Sequence, residues 1–328
     1  MIRIGLLGCG RIGQVHAESI MRIPDAQLVA VADAFPNAAQ ALAAKTGAAV
    51  LSTDEIIGHE GIDAIIIGTP TDTHYDIIQA AARAGKAIFC EKPVDMSAAR
   101  IRDCIAVVTK HNTPFMTAFN RRFDPSFAHL QARIAAGDIG AVEIVTILSR
   151  DPAPPPLSYI KSSGGIFRDM MIHDFDVARF LLGEDPVTIF ATGAALVNPE
   201  IAKAGDVDTA AVVLTTATGK ICQISNSRRA SYGYDQRIEV HGAKGMLRAE
   251  NQREHMVELA TEAGFRTAPA QHFFLQRYQA AYMAELLQFI TALQTSTAQS
   301  PSILDGLQAQ LLADAATESL ASGLPVKL

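Results

Sequence analysis

Cysteine is scarce in this chain. Its four copies, Cys9, Cys90, Cys104 and Cys222, stand far apart with no CxxC spacing. That argues against a structural zinc site or a disulfide framework and suits a reducing compartment. Charge is sparse too: Asp, Glu, Lys and Arg make up 19% of 328 residues, the net charge is −6, and no basic run stands out. A nucleic-acid partner is therefore not expected. No apolar run reaches membrane-spanning length. Strand-like sequence begins at Ile2, with no charged n-region leading an apolar h-region, so the expected location is the cytoplasm with no membrane partner. What the chain has in quantity is apolar sequence, 49% of residues, which with its length allows two well-filled domains.

The first part alternates apolar runs with helical stretches. Runs at 2–8, 27–33, 64–68, 87–90 and 115–119 read as strands, with helices over 14–22, 37–46, 73–84 and 98–111 between them. This alternation predicts a doubly wound parallel sheet with covered faces, a Rossmann domain over residues 1–120. From 121 to 328 the pattern changes. A helix over 125–136, a strand over 142–150, a proline cluster at 152–156 and a helix over 172–182 are followed by five strand-like runs with hairpin punctuation between 187 and 249. Helices over 276–293 and 303–321 close the chain. Consecutive strands with short turns predict an α+β domain carrying a large, mostly antiparallel open sheet.

Gly8-Cys9-Gly10-Arg11-Ile12-Gly13 is a GxGxxG that follows a strand and opens a helix, and Asp33 ends the next strand twenty residues after Gly13. Gly8 permits the tight turn, Gly10 lets backbone approach a pyrophosphate, and Gly13 allows close helix–strand packing. The pyrophosphate would sit at the positive end of the helix dipole, beside Arg11 and Ile12. Asp33 suits the adenosine ribose hydroxyls and would repel a 2′-phosphate. Ala34-Phe35-Pro36 offers no arginine to accommodate one, so the expected cofactor is NAD rather than NADP.

Phe89-Cys90-Glu91-Lys92-Pro93 places a charged pair directly after a buried strand. In isolation Glu-Lys-Pro also suits a surface turn with an ion-paired lysine. Together with Gly8 to Gly13 and Gly68-Thr69-Pro70-Thr71-Asp72-Thr73-His74, it resembles the glucose–fructose oxidoreductase/inositol dehydrogenase/MocA family over essentially the whole chain. Three further stretches resemble that family's bacterial inositol dehydrogenase branch: Phe119-Asn120-Arg121-Arg122-Phe123-Asp124-Pro125, residues 163–176 and residues 225–235. The resemblance implies catalytic positions at Lys92, Asp169 and His173. It implies cofactor contacts from Thr69, Pro70, Thr71, His74, Glu91, Lys92 and Arg121 besides the fingerprint. It also implies a cis Lys92–Pro93 bond and assembly as a homotetramer through the large sheets.

Oxidising a secondary alcohol requires a base for the hydroxyl proton, and histidine suits that role because its ordinary pKa lies near neutrality. We assign His173 as base, Lys92 as electrostatic partner of the developing alkoxide, and Asp169 as anchor and orienter. If 169–173 is helical, the i, i+4 spacing puts Asp169 and His173 on one face. Asp176 extends that face and would permit a metal. Arg179 can pair with Asp176, and the ligand set is incomplete, so no metal is expected. Substrate hydroxyls are expected to meet Lys92, Asn120, Asp151, Asp169, His173 and Tyr234, with Tyr232 as the alternative to Tyr234. Arg150, Lys161 and Arg168 leave a phosphorylated sugar open, but without a phosphate nest a neutral polyol is the better expectation. The reaction expected is NAD-dependent oxidation of myo-inositol to its 2-keto form. Another inositol isomer, a pyranose sugar, or a silent NAD-binding regulator on the same fold are the alternatives.

Overall fold

Short runs rich in aliphatic and β-branched residues become strands buried on both faces, as a helix-covered sheet requires. A computed structural model describes residues Met1–Leu328. Its first part runs β1 (Ile2–Leu7), α1 (Arg11–Ile20), β2 (Ala26–Ala32), α2 (Pro36–Thr46), β3 (Ala49–Val50), α3 (Thr53–Gly58), β4 (Ala64–Ile67), α4 (His74–Arg83), β5 (Ala87–Cys90), α5 (Ala98–Lys110) and β6 (Phe115–Thr117). Every pairing is parallel, and the order is β3-β2-β1-β4-β5-β6. The winding reverses between β1 and β4, and in doubly wound sheets ligands bind at the carboxyl ends beside that reversal.

The remainder runs α6 (Pro125–Ala135), β7 (Val142–Arg150), α7 (Leu157–Ser162), α8 (Gly165–Asp169), α9 (Ile172–Leu182), β8 (Pro186–Ala194), α10 (Pro199–Lys203), β9 (Thr209–Thr216), β10 (Ile221–Ser227), β11 (Asp235–Gly242), β12 (Gly245–Ala249), β13 (Glu258–Thr261), β14 (Gly264–Thr267), α11 (Phe274–Arg277), α12 (Gln279–Thr295), α13 (Ile303–Ser322) and β15 (Val326–Lys327). No helix is long and apolar enough to cross a membrane.

The chain divides into two units: Met1–Phe123 with Ala281–Gln310, and Asp124–Ala280 with Leu311–Leu328. A single division at residue 120 would place Ala281–Gln310 in the second unit, yet this segment groups with the first. The reason is packing. α12 sends Leu286, Phe289 and Ile290 into the core that contains Phe89, and the Phe89 and Phe289 rings meet edge to face at 5.5 Å. Fully burying one such side chain is worth about 1.5–3 kcal/mol, so three of them fix the helix to that sheet.

The second unit is built on a seven-stranded sheet, β12-β11-β7-β10-β9-β8-β15, in which only β7 and β10 pair in parallel. Val145, Ile147, Ile189, Val212, Leu214, Ile224, Ile238 and Val240 are buried on one side of the sheet. α9 packs against β7 and β10 there, and α6 packs against α9. On the opposite face Ile144, Phe190 and Val213 stay 36%, 38% and 39% exposed. The α9 helix ends where the sequence says it should, with Gly183 in the left-handed conformation at φ 70°.

Candidate active site

The first unit gathers its sequence-predicted residues at the carboxyl edge of the parallel sheet. Gly8 leaves β1 at φ +93°, and its N–H donates to the Ala32 carbonyl (2.8 Å). A side chain at Gly13 would collide with the Gly8 carbonyl oxygen, so glycine is obligatory at that crossing. A Cβ at Gly10, by contrast, would meet nothing within 4 Å. Gly10 is also the N-cap of α1; it supplies no side-chain acceptor, and no acidic residue occupies the first turn. That leaves an uncapped, positively poled helix end beside open space, which fits a dinucleotide pyrophosphate. Asp33 accepts from the Cys9 N–H (2.6 Å) and the Phe35 N–H (2.8 Å), which fixes its carboxylate at the end of β2, where the ribose is expected. Burial, with the Asp33 charge second, pushes the Cys9 thiol up to about 11, so this cysteine is not a nucleophile at neutral pH.

Glu91 and Lys92 follow β5 at the same edge, and the Lys92–Pro93 bond is cis. One Glu91 oxygen meets His16 Nε2 at 2.7 Å, and the other accepts from the Lys92 N–H at 3.3 Å. His16 is fully buried, three residues beyond the fingerprint on α1. It was not among the predicted residues; the only trace in the sequence is its place on the inner face of the cofactor helix. Glu91 is thus a brace between α1 and the Lys92 turn. His74 is a second brace. Its ring nitrogens stand 2.9 Å from the Thr69 carbonyl and 3.0 Å from the Pro93 carbonyl, tying the 69–73 turn to the Glu-Lys-Pro turn. Burial holds its imidazole below the ordinary histidine range. A ring 1% exposed and engaged on both nitrogens acts through the backbone it holds. Thr69 Oγ1 and Thr73 Oγ1 share a further hydrogen bond of 2.7 Å across this turn, with Pro70 and Thr71 between them.

Glu285 on α12 was also missed. It is fully buried, and neither carboxyl oxygen meets a protein hydrogen-bond donor. Burial, with the Glu91 charge second, raises its carboxyl well above the usual range. Asn120 and Arg121 belong to this unit and are buried, so Arg121 is not part of a solvated face. Its neighbour Arg122 pairs with Asp305 at 2.9 Å.

The second unit carries Asp169, His173, Asp151 and Tyr234. The helix expected over 172–182 is α9, and the condition for a shared i, i+4 face at Asp169 and His173 is not met. Asp169 is the last residue of α8, Met170 and Met171 form a turn, and His173 lies in the first turn of α9. Asp169 is gripped from two sides: Tyr159 donates to one oxygen at 2.9 Å, and both terminal nitrogens of Arg228 donate to the other at 3.2 Å. His173 is placed through its neighbour. Asp174 is buried and accepts from Ser149 Oγ (2.6 Å) and Asn226 Nδ2 (2.9 Å), which pins α9 to β7 and β10.

Asp151 follows β7, and its N–H donates to the Ser227 carbonyl at 2.9 Å. Gly233, at φ +117°, separates the two candidate tyrosines. Tyr234 is 5% exposed and meets Tyr278 edge to face, whereas Tyr232 is 54% exposed and donates to Asp235. Two of the three basic residues that left a phosphate ligand open, Arg150 and Arg168, are committed to protein partners. Arg168 pairs with Asp314 at 2.6 Å, and Arg150 donates to the carbonyl and hydroxyl of Ser225. Arg179 donates to Asp185. No group of three or more His, Cys, Asp or Glu side chains is placed to hold a metal.

The chain is similar in sequence and fold to known proteins. A model of an oxidoreductase family with an NAD-binding Rossmann fold matches residues 2–119, and a model of the GFO/IDH/MocA C-terminal domain matches residues 127–248. The inositol 2-dehydrogenase of Rhizobium meliloti (strain 1021) is 56% identical over 320 residues, covering 98% of this chain and 97% of the relative. The myo-inositol 2-dehydrogenase of Thermotoga maritima is 45% identical over 329 residues, covering 100% of this chain and 98% of the relative. The crystal structure of scyllo-inositol dehydrogenase from Lactobacillus casei with bound NAD(H) and scyllo-inositol matches with a TM-score of 0.94 at 30% identity, covering 100% of this chain and 99% of that one. A dinucleotide fingerprint at the switch point of a 3-2-1-4-5-6 sheet, a mixed open sheet behind it in sequence, and family matches to both parts lead to one conclusion: the chain belongs to the glucose–fructose oxidoreductase/inositol dehydrogenase/MocA family of NAD-dependent oxidoreductases.

Proposed function

We propose that this protein oxidises the 2-hydroxyl of myo-inositol, giving 2-keto-myo-inositol and NADH. The observation that carries the reading is 56% identity to an inositol 2-dehydrogenase over nearly the full length of both chains. Lys92, Asp169 and His173 stand at the family's catalytic positions, which favours an enzyme over a silent NAD-binding protein. NAD, when bound, accepts the hydride from the carbinol carbon. The chain's own residues do the rest. His173 takes the hydroxyl proton, and Lys92 stabilises the negative charge that develops on that oxygen. Asp169, an acceptor held by Tyr159 and Arg228, receives a hydrogen bond from a ring hydroxyl or from the imidazole. Asn120, Asp151 and Tyr234 complete the hydroxyl-binding set. A set that bonds each hydroxyl discriminates between epimers, because a misplaced hydroxyl leaves buried polar groups without partners.

The exposed apolar positions Ile144, Phe190 and Val213 on the open sheet face belong to the same reading. They form the surface through which copies of the chain assemble into a tetramer.

Initial rates of NADH formation with NAD+ and a panel of myo-, scyllo- and D-chiro-inositol, glucose and xylose test the substrate. Preference for myo-inositol supports the proposal. Preference for another ring keeps the chemistry and discards the substrate. Silence across the panel, with NADH still bound, favours the non-catalytic alternative.

A further inference from the structure

We propose that Arg228 is a positioning residue for the oxidation, acting through Asp169. This rests on the reading above, in which Asp169 belongs to the substrate site. Arg228 follows β10 and is the largest side chain of the chain with less than 2% exposure, at 1%. Its backbone N–H is fixed by the Asp208 carbonyl at 2.8 Å. Burying a guanidinium is expensive unless an anion faces it, and breaking such a pair strands the remaining charge. The anion here is Asp169, whose Oδ2 lies 3.2 Å from both terminal nitrogens.

The arrangement does two things to Asp169. It sets a carboxylate oxygen 3.2 Å from both terminal nitrogens of a buried guanidinium, so removing either partner would strand the other. It also divides the carboxylate, with Arg228 on Oδ2 and Tyr159 on Oδ1, so that the plane of the group is set before any substrate arrives. A preset acceptor loses less freedom on binding and aims at one hydroxyl position.

Asp206 adds a second carboxylate to the neighbourhood. Its Oδ1 accepts from the Ile166 N–H at 3.1 Å, on the helix that ends in Asp169. Arg228 and Asp169 both act on it electrostatically, with opposite signs. Without Arg228, the repulsion between Asp169 and Asp206 would lose the cation that offsets it. Arg228 therefore does more than close the end of a strand: it makes a paired, oriented Asp169 compatible with burial.

The test is a double-mutant cycle on the full-length protein, comparing Arg228→Met, Arg228→Lys, Asp169→Asn and the Arg228→Met/Asp169→Asn double variant. The readouts are kcat and KM for myo-inositol, NADH affinity and Tm. Arg228→Met is expected to lower kcat/KM about a hundredfold, on the scale of a buried charge-assisted hydrogen bond, with NADH affinity unchanged. Arg228→Lys recovers part of that loss. In the Asp169→Asn background, Arg228→Met costs little more, because groups acting as a unit are not additive.

Losses that multiply in the double variant, or an Arg228→Met enzyme as active as the parent, would overturn the proposal. Should Arg228→Met not fold, Arg228→Lys decides: about a tenfold loss of kcat/KM at unchanged Tm supports it, and full activity contradicts it. Full activity in Asp169→Asn alone removes the underlying assignment of Asp169, an outcome distinct from failure of the Arg228 coupling.

Discussion

Replacing His173 by alanine is expected to lower turnover by about 10²–10⁴-fold, the range that general base catalysis contributes. NADH affinity should be unaffected, because the fingerprint from Gly8 to Gly13 and Asp33 belongs to the other unit. The structure gives a reason for such a clean separation. His173 sits in the first turn of α9, and Asp174 pins that helix to the sheet through Ser149 and Asn226. Removing the half-buried imidazole therefore leaves the helix anchor intact, and Tm should change little. Measuring kcat, NADH affinity and Tm together checks all three statements. Turnover within a few-fold of the parent would mean that another group takes the proton.

A Gly13→Ala substitution is expected to be nearly as damaging by a different route. The added methyl would collide with the Gly8 carbonyl oxygen, which is backbone and cannot swing aside. Either α1 retreats from β1 or the turn opens. Overpacking at the upper end of its usual cost, about 3 kcal/mol, corresponds to a Tm fall of about 4 °C in a chain of this size. The turn is also where the pyrophosphate is expected, so NADH affinity should fall about a hundredfold, the scale of a 1 Å misplacement. Gly10→Ala makes the informative control. Its Cβ meets nothing in the protein, so Tm should hold while NADH binding weakens. Thermal melting with and without NADH separates the two cases.

Legibility in the sequence followed the range of the interactions. The parallel sheet and the fingerprint could be read because each rests on neighbours: a strand, a tight turn and a helix within thirteen residues. Gly183 ends α9 for an equally local reason. The braces were hidden because their partners are remote. His16 meets Glu91 across 75 positions, and Arg228 meets Asp169 across 59. Neither contact has a spacing that a sequence pattern can carry.

The helix over 172–182 was legible, whereas the four-residue spacing of Asp169 and His173 left a shared face open, and the turn at Met170 and Met171 removes it. The two tyrosines were ambiguous because positions 232 and 234 share parity in an extended strand. Gly233 at φ +117° removes that equivalence, burying Tyr234 and exposing Tyr232. The hairpin of β13 and β14 went unread because all its residues are exposed, leaving no alternation of burial to detect.

In the proposed reaction hydride leaves C2 of myo-inositol for the cofactor while His173 takes the hydroxyl proton. The most direct measurement uses myo-inositol deuterated at C2 with NAD+, followed by mass analysis of the reduced cofactor and the keto product. The expected result is NADH heavier by one deuterium and a ketone free of label. Unlabelled NADH, with deuterium retained in the product, would contradict it and move the oxidation to another ring position.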